Sequence, residues 1–131
     1  MDNNLLQHGA ISWFELMTTD VEAAKGFYGT LFGWKYEAYA GDPAAQYHML
    51  KVNDEPVGGI MKTPPQCSGY PPIWGAYVTV ADIDATAAKV VELGGKVIVP
   101  PTDIPNIGRF SVFSDPQGAV LSAITYFPRQ P

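Results

Sequence analysis

The chain has 131 residues, 47% of them hydrophobic and 16% charged, and a formal net charge of −5. That is one ordinary domain with enough apolar residues for a core, and it excludes a disordered or fibrous protein. The acidic balance, with no basic cluster, argues against a nucleic-acid or anionic-membrane partner, since both are bound through Lys and Arg.

The N-terminal stretch "MDNNLLQHGA" lacks the basic start and apolar centre of a signal peptide. It is a polar tail in which His8 is expected to be solvated or frayed. "ISWFELMTTD" (residues 11–20) follows and reads as a strand running into a helix cap. It recurs loosely 62 residues later as "IWGAYVTVAD" (residues 73–82). After the first copy, Thr19 and Glu22 have the spacing of a capping box, so a helix is expected to begin near Asp20. Val21, Ala24, Phe27, Tyr28 and Leu31 form its apolar stripe, and Gly33 fits its stop. In the second copy Asp82 opens the helix, Ile83, Ala87, Val90 and Val91 supply the stripe, and Gly94-Gly95 end it. Asp20, Leu31 and Gly33 align with Asp82, Leu93 and Gly95 at one constant offset.

Strand-like segments follow each helix. "WKYEAYA", "AQYHMLKV" and "VGGIMK" are separated by the turns "GDPA" and "NDEP". "KVIVPPTDI", "GRFSVFS" and "AVLSAIT" come after the second helix, with "DPQG" as a tight hairpin turn. Each half therefore reads strand–helix–strand–strand–strand. Residues 63–72, "TPPQCSGYPP", have the composition of a linker. The chain is accordingly read as a single domain, 1–131, of two modules (about 9–62 and 73–127). No apolar run approaches the ~20 residues of a membrane span. The single cysteine, Cys67, cannot form an internal disulfide, which fits a cytoplasmic location. It lies in the linker with no base nearby in sequence, so a nucleophilic role is not expected.

The duplicated module resembles the vicinal-oxygen-chelate superfamily, which holds glyoxalase I, extradiol dioxygenases and bleomycin-resistance proteins. "WFELMTTDVEAAKGFYGTLFGW" and "GRFSVFSDPQGAVLSAI" carry the resemblance, and it covers roughly residues 9–127. It implies an α+β fold whose two βαβββ modules form a curved, incomplete mixed β-barrel with helices outside and a small-molecule pocket on the concave face. The family's enzymes use a divalent metal held by His and Glu. The positions that match those ligands here are Trp13, Gly75, Ser122 and the neighbourhood of Gly58–Gly59, and none offers an imidazole or a carboxylate. The chain thus resembles a glyoxalase-like branch lacking the metal ligands, with no metal and no cofactor expected. The family commonly forms dimers, so a homodimer is one arrangement; pairing of the modules within one chain or by exchange between two is left open.

In the family pattern the metal-His position faces the cavity. Strand alternation then turns Trp13, Glu15 and Met17 to the pocket and Phe14 and Leu16 to the helix. The same count turns Tyr77, Thr79 and Ser122 inward from the second half. His48, in "QYHML", is either a polar pocket contact or a satisfied sheet histidine. Arg109, in "IPNIGRF", either greets an anionic ligand at the pocket mouth or forms a surface ion pair. Trp13 stacks on a ligand or fills the space a metal would take. Glu15, costly to keep charged among apolar neighbours unless paired, serves as a general base or a ligand contact, or else reaches the rim or pairs with Arg109. The function expected is metal-free binding of a small molecule in the pocket. The alternative is an enzyme of the superfamily, a lyase or dioxygenase, or one using Glu15 for acid–base catalysis without metal.

Overall fold

The computed structural model describes residues 3–39 and 46–128. Among these the chain is α+β, with eight strands and two helices. In chain order they are β1 (Ile11–Thr18), α1 (Val21–Phe32), β2 (Lys35–Ala38), β3 (His48–Val52), β4 (Glu55–Lys62), β5 (Ile73–Thr79), α2 (Ile83–Glu92), β6 (Lys96–Ile104), β7 (Gly108–Ser114) and β8 (Val120–Tyr126). Single 3₁₀ turns span Asn3–Leu6 and Pro65–Cys67. Two compact units divide the chain: Trp13–Gly75, and the residues before it together with Ala76 onward. The strands are ordered β2-β3-β4-β1 in the first and β5-β8-β7-β6 in the second. Each is thus an open mixed sheet, with the strand before the helix parallel to the last strand of its own βαβββ repeat. No described helix is long and apolar enough to cross a membrane.

In the unit Trp13–Gly75, helix α1 starts because the Asp20 carboxylate accepts a hydrogen bond from the Ala23 amide at 3.0 Å. The cap is therefore Asp20 itself, not the Thr19/Glu22 box that the spacing suggested; a short carboxylate satisfies an orphan amide directly. Gly33 ends the helix at φ 74°, where its N–H reaches Gly29 O at 2.8 Å. The core joins Leu16, Val21 and Ile60, with Ala24, Tyr28 and Tyr36 against them. Phe27 and Leu31, placed in the apolar stripe by spacing alone, stay 63% and 58% exposed. The face that meets the sheet is the one through residues 21, 24 and 28, and Phe27 and Leu31 sit a turn apart beside it. The β3–β4 turn, "NDEP", is a two-residue hairpin with Asn53 at φ 50° and Asp54 at φ 64°, both in the left-handed region that such tight turns require. The turn expected at "GDPA" lies outside the described residues.

The second unit repeats the device. Asp82 accepts from the Ala85 amide at 3.2 Å and so caps α2 as Asp20 caps α1. Val80, Ile83 and Ala123 form the core, with Val78 and Phe113 packed on it. Val91 is exposed rather than part of the buried stripe. The "DPQG" turn is held by Asp115, whose carboxylate accepts from the Gln117 and Ala119 amides at 2.9 and 3.0 Å. Strand β6 carries Pro100 and Pro101, which cannot donate to a ladder. It can do so because β6 ends the strand order and its register to β7 shifts between Val99 and Thr102. The N-terminal stretch is anchored to this unit: Gly9 N–H donates to Thr79 O at 2.7 Å, and Thr79 N–H to Ala10 O at 2.8 Å. His8 is exposed but not frayed, since its Nδ1 accepts from the Ala81 amide at 3.0 Å.

Candidate functional site

In the Trp13–Gly75 unit the sheet has two faces, and ladder register assigns every side chain to one of them. Glu15 pairs with Gly59 and Met17 with Met61 across the parallel β1/β4 ladder. Met49 lies opposite Gly59 across β3/β4. Directly paired residues share a face, so Trp13, Glu15, Met17, Met49, Gly59 and Met61 share one. Tyr47 joins them: a Cβ on Gly59 would collide with the Tyr47 ring and hydroxyl. Trp13 Nε1–H in turn donates to Tyr47 Oη at 2.8 Å. Three of the chain's four methionines therefore share a face with a hydrogen-bonded Trp–Tyr pair and the Glu15 carboxylate. Glu15 is 9% exposed, buried on this face. The opposite face carries Leu16 and Ile60 and packs on α1.

Chemically the face combines polarisable thioethers, which adapt to irregular shapes, with aromatic rings that can stack. Its buried acidic acceptor is Glu15; Glu37, opposite Met49 on the same face, is exposed and paired with Lys51 at 2.7 Å. That mixture of apolar lining and few polar groups is typical of small-molecule sites. Tyr47, Met49 and Met61 were not singled out from the sequence. Only the β3 register, which places His48 opposite Ile60, reveals that Tyr47 and Met49 rather than His48 share the Glu15 face.

His48 lies on the helix side of the sheet, and its Nδ1 sits 3.1 Å from Gln46 O. Tyr77 and Ser122 pair across β5/β8 and so share a face with Thr79, in the other unit. Tyr77 is buried there with its ring 6.3 Å from that of Phe110. Thr79 is buried too, and its hydroxyl donates to Leu5 O at 2.6 Å, so its hydrogen is already engaged by the N-terminal stretch.

Arg109 lies on the opposite face of that sheet, on the side of Ala123. It grips both Asp84 carboxylate oxygens at 3.0 Å through Nε and Nη2, and reaches Asp103 through Nη1 at 3.0 Å. Of the two roles open to it, the geometry is that of an ion pair tying the first turn of α2 to the sheet. The guanidinium holds the Asp84 carboxyl below its usual range. A depressed carboxylate contributes its stability above its unfolded pKa and loses it as pH falls through the folded value. In Arg109→Ala the Asp84 titration, followed by carboxyl NMR, is therefore expected to rise to the ordinary carboxylate range. A midpoint that does not move would show that Arg109 is not its cause.

Cys67 is buried, and burial raises the pKa of its thiol, which keeps it protonated and a poor nucleophile. Among the described residues no three His, Cys, Asp or Glu side chains gather as a metal cluster would require.

Over 122 residues the chain is 42% identical to CFP32 of Mycobacterium tuberculosis, which carries a glyoxylase name, covering 93% of this chain and 46% of that protein. Over 126 residues it is 33% identical to the anthracycline biosynthesis protein DnrV of Streptomyces peucetius, covering 87% and 46%. The chain thus spans about half the length of these curated relatives. Methylmalonyl-CoA epimerase from Mycobacterium tuberculosis has the same fold, with a TM-score of 0.64 at 15% identity over 98% of this chain and 93% of that one. Residues 10–122 match the family description, and the chain belongs to the Glyoxalase/Bleomycin resistance protein/Dioxygenase superfamily.

Proposed function

We propose that the chain is a metal-free binding protein for a small, partly aromatic molecule. The ligand rests on the face of Trp13, Glu15, Met17, Tyr47, Met49 and Met61. The observation that carries this reading is the buried Glu15 carboxylate among thioethers and rings, on the face turned away from the helix. The residues at the family's metal-ligand positions do not fit a His/Glu metal site. Trp13 offers an indole, and the space above Gly59 is taken by the Tyr47 ring. The indole N–H has no lone pair to offer a metal, and the Tyr47 phenol, which ligates iron only as phenolate, accepts that N–H instead. Trp13 is thus both wall and plug. Tyr77 and Ser122 lie on a face of the other unit. The Thr79 hydroxyl hydrogen and the Arg109 guanidinium are engaged by Leu5 O and by Asp84 and Asp103, and His48 stands on the helix side. A relative named for anthracycline biosynthesis supports a flat ligand. The burial of Glu15 favours, as a second reading, acid–base catalysis without a metal.

The test is a titration of the metal-analysed protein with 9-aminoacridine, a flat aromatic cation, read by quenching of tryptophan fluorescence. Saturable binding at one equivalent is expected. Glu15→Gln keeps the shape but removes a charge-assisted contact of about 1.5–3 kcal/mol, so affinity is expected to fall roughly tenfold or more. Trp13→Ala is expected to weaken it roughly threefold to tenfold through lost stacking. Unchanged affinity in both variants would end this reading. Near one equivalent of nickel, zinc, iron or manganese, lost on substitution of Glu15, would end its metal-free part.

A further inference from the structure

Tyr39 follows β2, and the ladder carries it onto the face of Glu15. Its amide N–H donates to Tyr47 O at 2.9 Å, which extends the antiparallel β2/β3 pairing one step beyond Ala38 and His48. Tyr39 therefore stands opposite Tyr47 and shares its face. The two rings meet edge to face, with centroids 6.1 Å apart and planes at 79°. Tyr47 in turn accepts the Trp13 indole N–H at 2.8 Å. Three aromatic side chains are thus linked in a row, on the side of the sheet where Glu15 is buried. Tyr39 and Tyr47 are both half-buried, so part of each ring stays open to solvent.

We propose that Trp13, Tyr39 and Tyr47 form an aromatic cage which, with Glu15, selects a ligand carrying an ammonium group, quaternary or protonated. The inference rests on the ligand face proposed above and narrows its ligand to a cation. Aromatic faces carry negative charge density, and rings set at right angles offer it from more than one direction. A compact, round ammonium uses several such faces at once, whereas a flat neutral ring needs only one parallel partner. The carboxylate adds the opposite charge that a cation leaving water requires. The other charges on this side do not compete. Lys51 is paired with Glu37 at 2.7 Å, and Lys35 stands four residues before Tyr39, about 13 Å away at the rise of a strand. The chain's net charge of −5 also draws cations rather than anions. On the helix side, Phe14, Trp34, Leu50, Val57 and Trp74 line a notch of about 300 Å³ with no charged group in its wall. That notch has nothing with which to prefer an ammonium over a neutral group of the same shape.

Titration of the full chain with choline, followed by backbone-amide NMR, tests it against 3,3-dimethylbutan-1-ol, which has the same shape and no charge. Choline is expected to shift the Tyr39 and Tyr47 amides saturably and to bind about tenfold or more tighter than the alcohol. Tyr39→Leu keeps an apolar side chain but loses the ring, and is expected to weaken choline about fivefold. Tyr39→Phe keeps the ring and should stay within about twofold of wild type. Glu15→Gln should bring choline and the alcohol to nearly equal affinity. Equal affinities in the wild-type protein, or no saturation by choline at about 10 mM, would overturn the cage. So would equal behaviour of Tyr39→Leu and Tyr39→Phe in protein of unchanged circular dichroism. If 9-aminoacridine binds through Glu15 while choline fails, the cage falls and the ligand face stands. If both probes fail, the face falls with it.

Discussion

Gly58→Ala is expected to lower the stability of the chain by about 3 kcal/mol, a drop in Tm on the order of 10 °C. A Cβ at Gly58 would meet the carbonyl oxygen of Phe14, its partner across the parallel β1/β4 ladder. That oxygen belongs to the backbone and cannot swing aside, so the two strands must part and their hydrogen bonds stretch. Gly59→Ala is the informative neighbour. There the obstruction is the Tyr47 ring, a side chain that can rotate at the loss of its bond to Trp13. Its cost should be smaller, about 1–2 kcal/mol. It should also disturb tryptophan fluorescence, which Gly58→Ala below its melting point should not. Thermal unfolding followed by circular dichroism measures both; equal losses would mean that the β1/β4 approach is less close than the geometry requires.

Those two glycines show how far the sequence could be read. A "GG" inside a strand is legible as close strand packing, but which neighbour each glycine spares is not. Local chemistry was the legible part. Asp20 and Asp82 cap their helices because a short carboxylate before an apolar stripe has one good use. Asp115 closes its hairpin for the same kind of reason. Faces were legible where a strand could be anchored to a helix, which is why Trp13, Glu15 and Met17 fall together on one side.

The remainder depended on register and on contacts distant in sequence. Alternation says that His48 and Met49 point in opposite directions, but not which of them joins Glu15. Pairing with Ile60 decides that, and a one-residue slip would reverse it. An ion pair was one of the two roles open to Arg109, but its partner was not legible, because Asp84 lies 25 residues earlier on a helix. Nothing local announces that the N-terminal stretch returns to accept the hydrogen of the Thr79 hydroxyl. Phe27 and Leu31 fit the helical period yet lie outside the arc that the sheet covers.

Ile60→Ala is expected to separate stability from binding. Ile60 is fully buried between Leu16 and Val21, with Tyr36 among the side chains packed on this cluster. Removing three carbons there loses their transfer from water and leaves a cavity, for about 3–4 kcal/mol. The Tm should therefore fall by at least as much as in Gly58→Ala. Yet Ile60 points to the helix, and its neighbours in the chain, Gly59 and Met61, point to the Trp13–Tyr47 face. Well below the melting point, the affinity for 9-aminoacridine should stay within about twofold of wild type, because a cavity on one side of a sheet need not move side chains on the other. A large loss of affinity in folded Ile60→Ala protein would place the ligand on the helix side, in the notch of Phe14 and Trp74, and would remove Glu15 from the binding site.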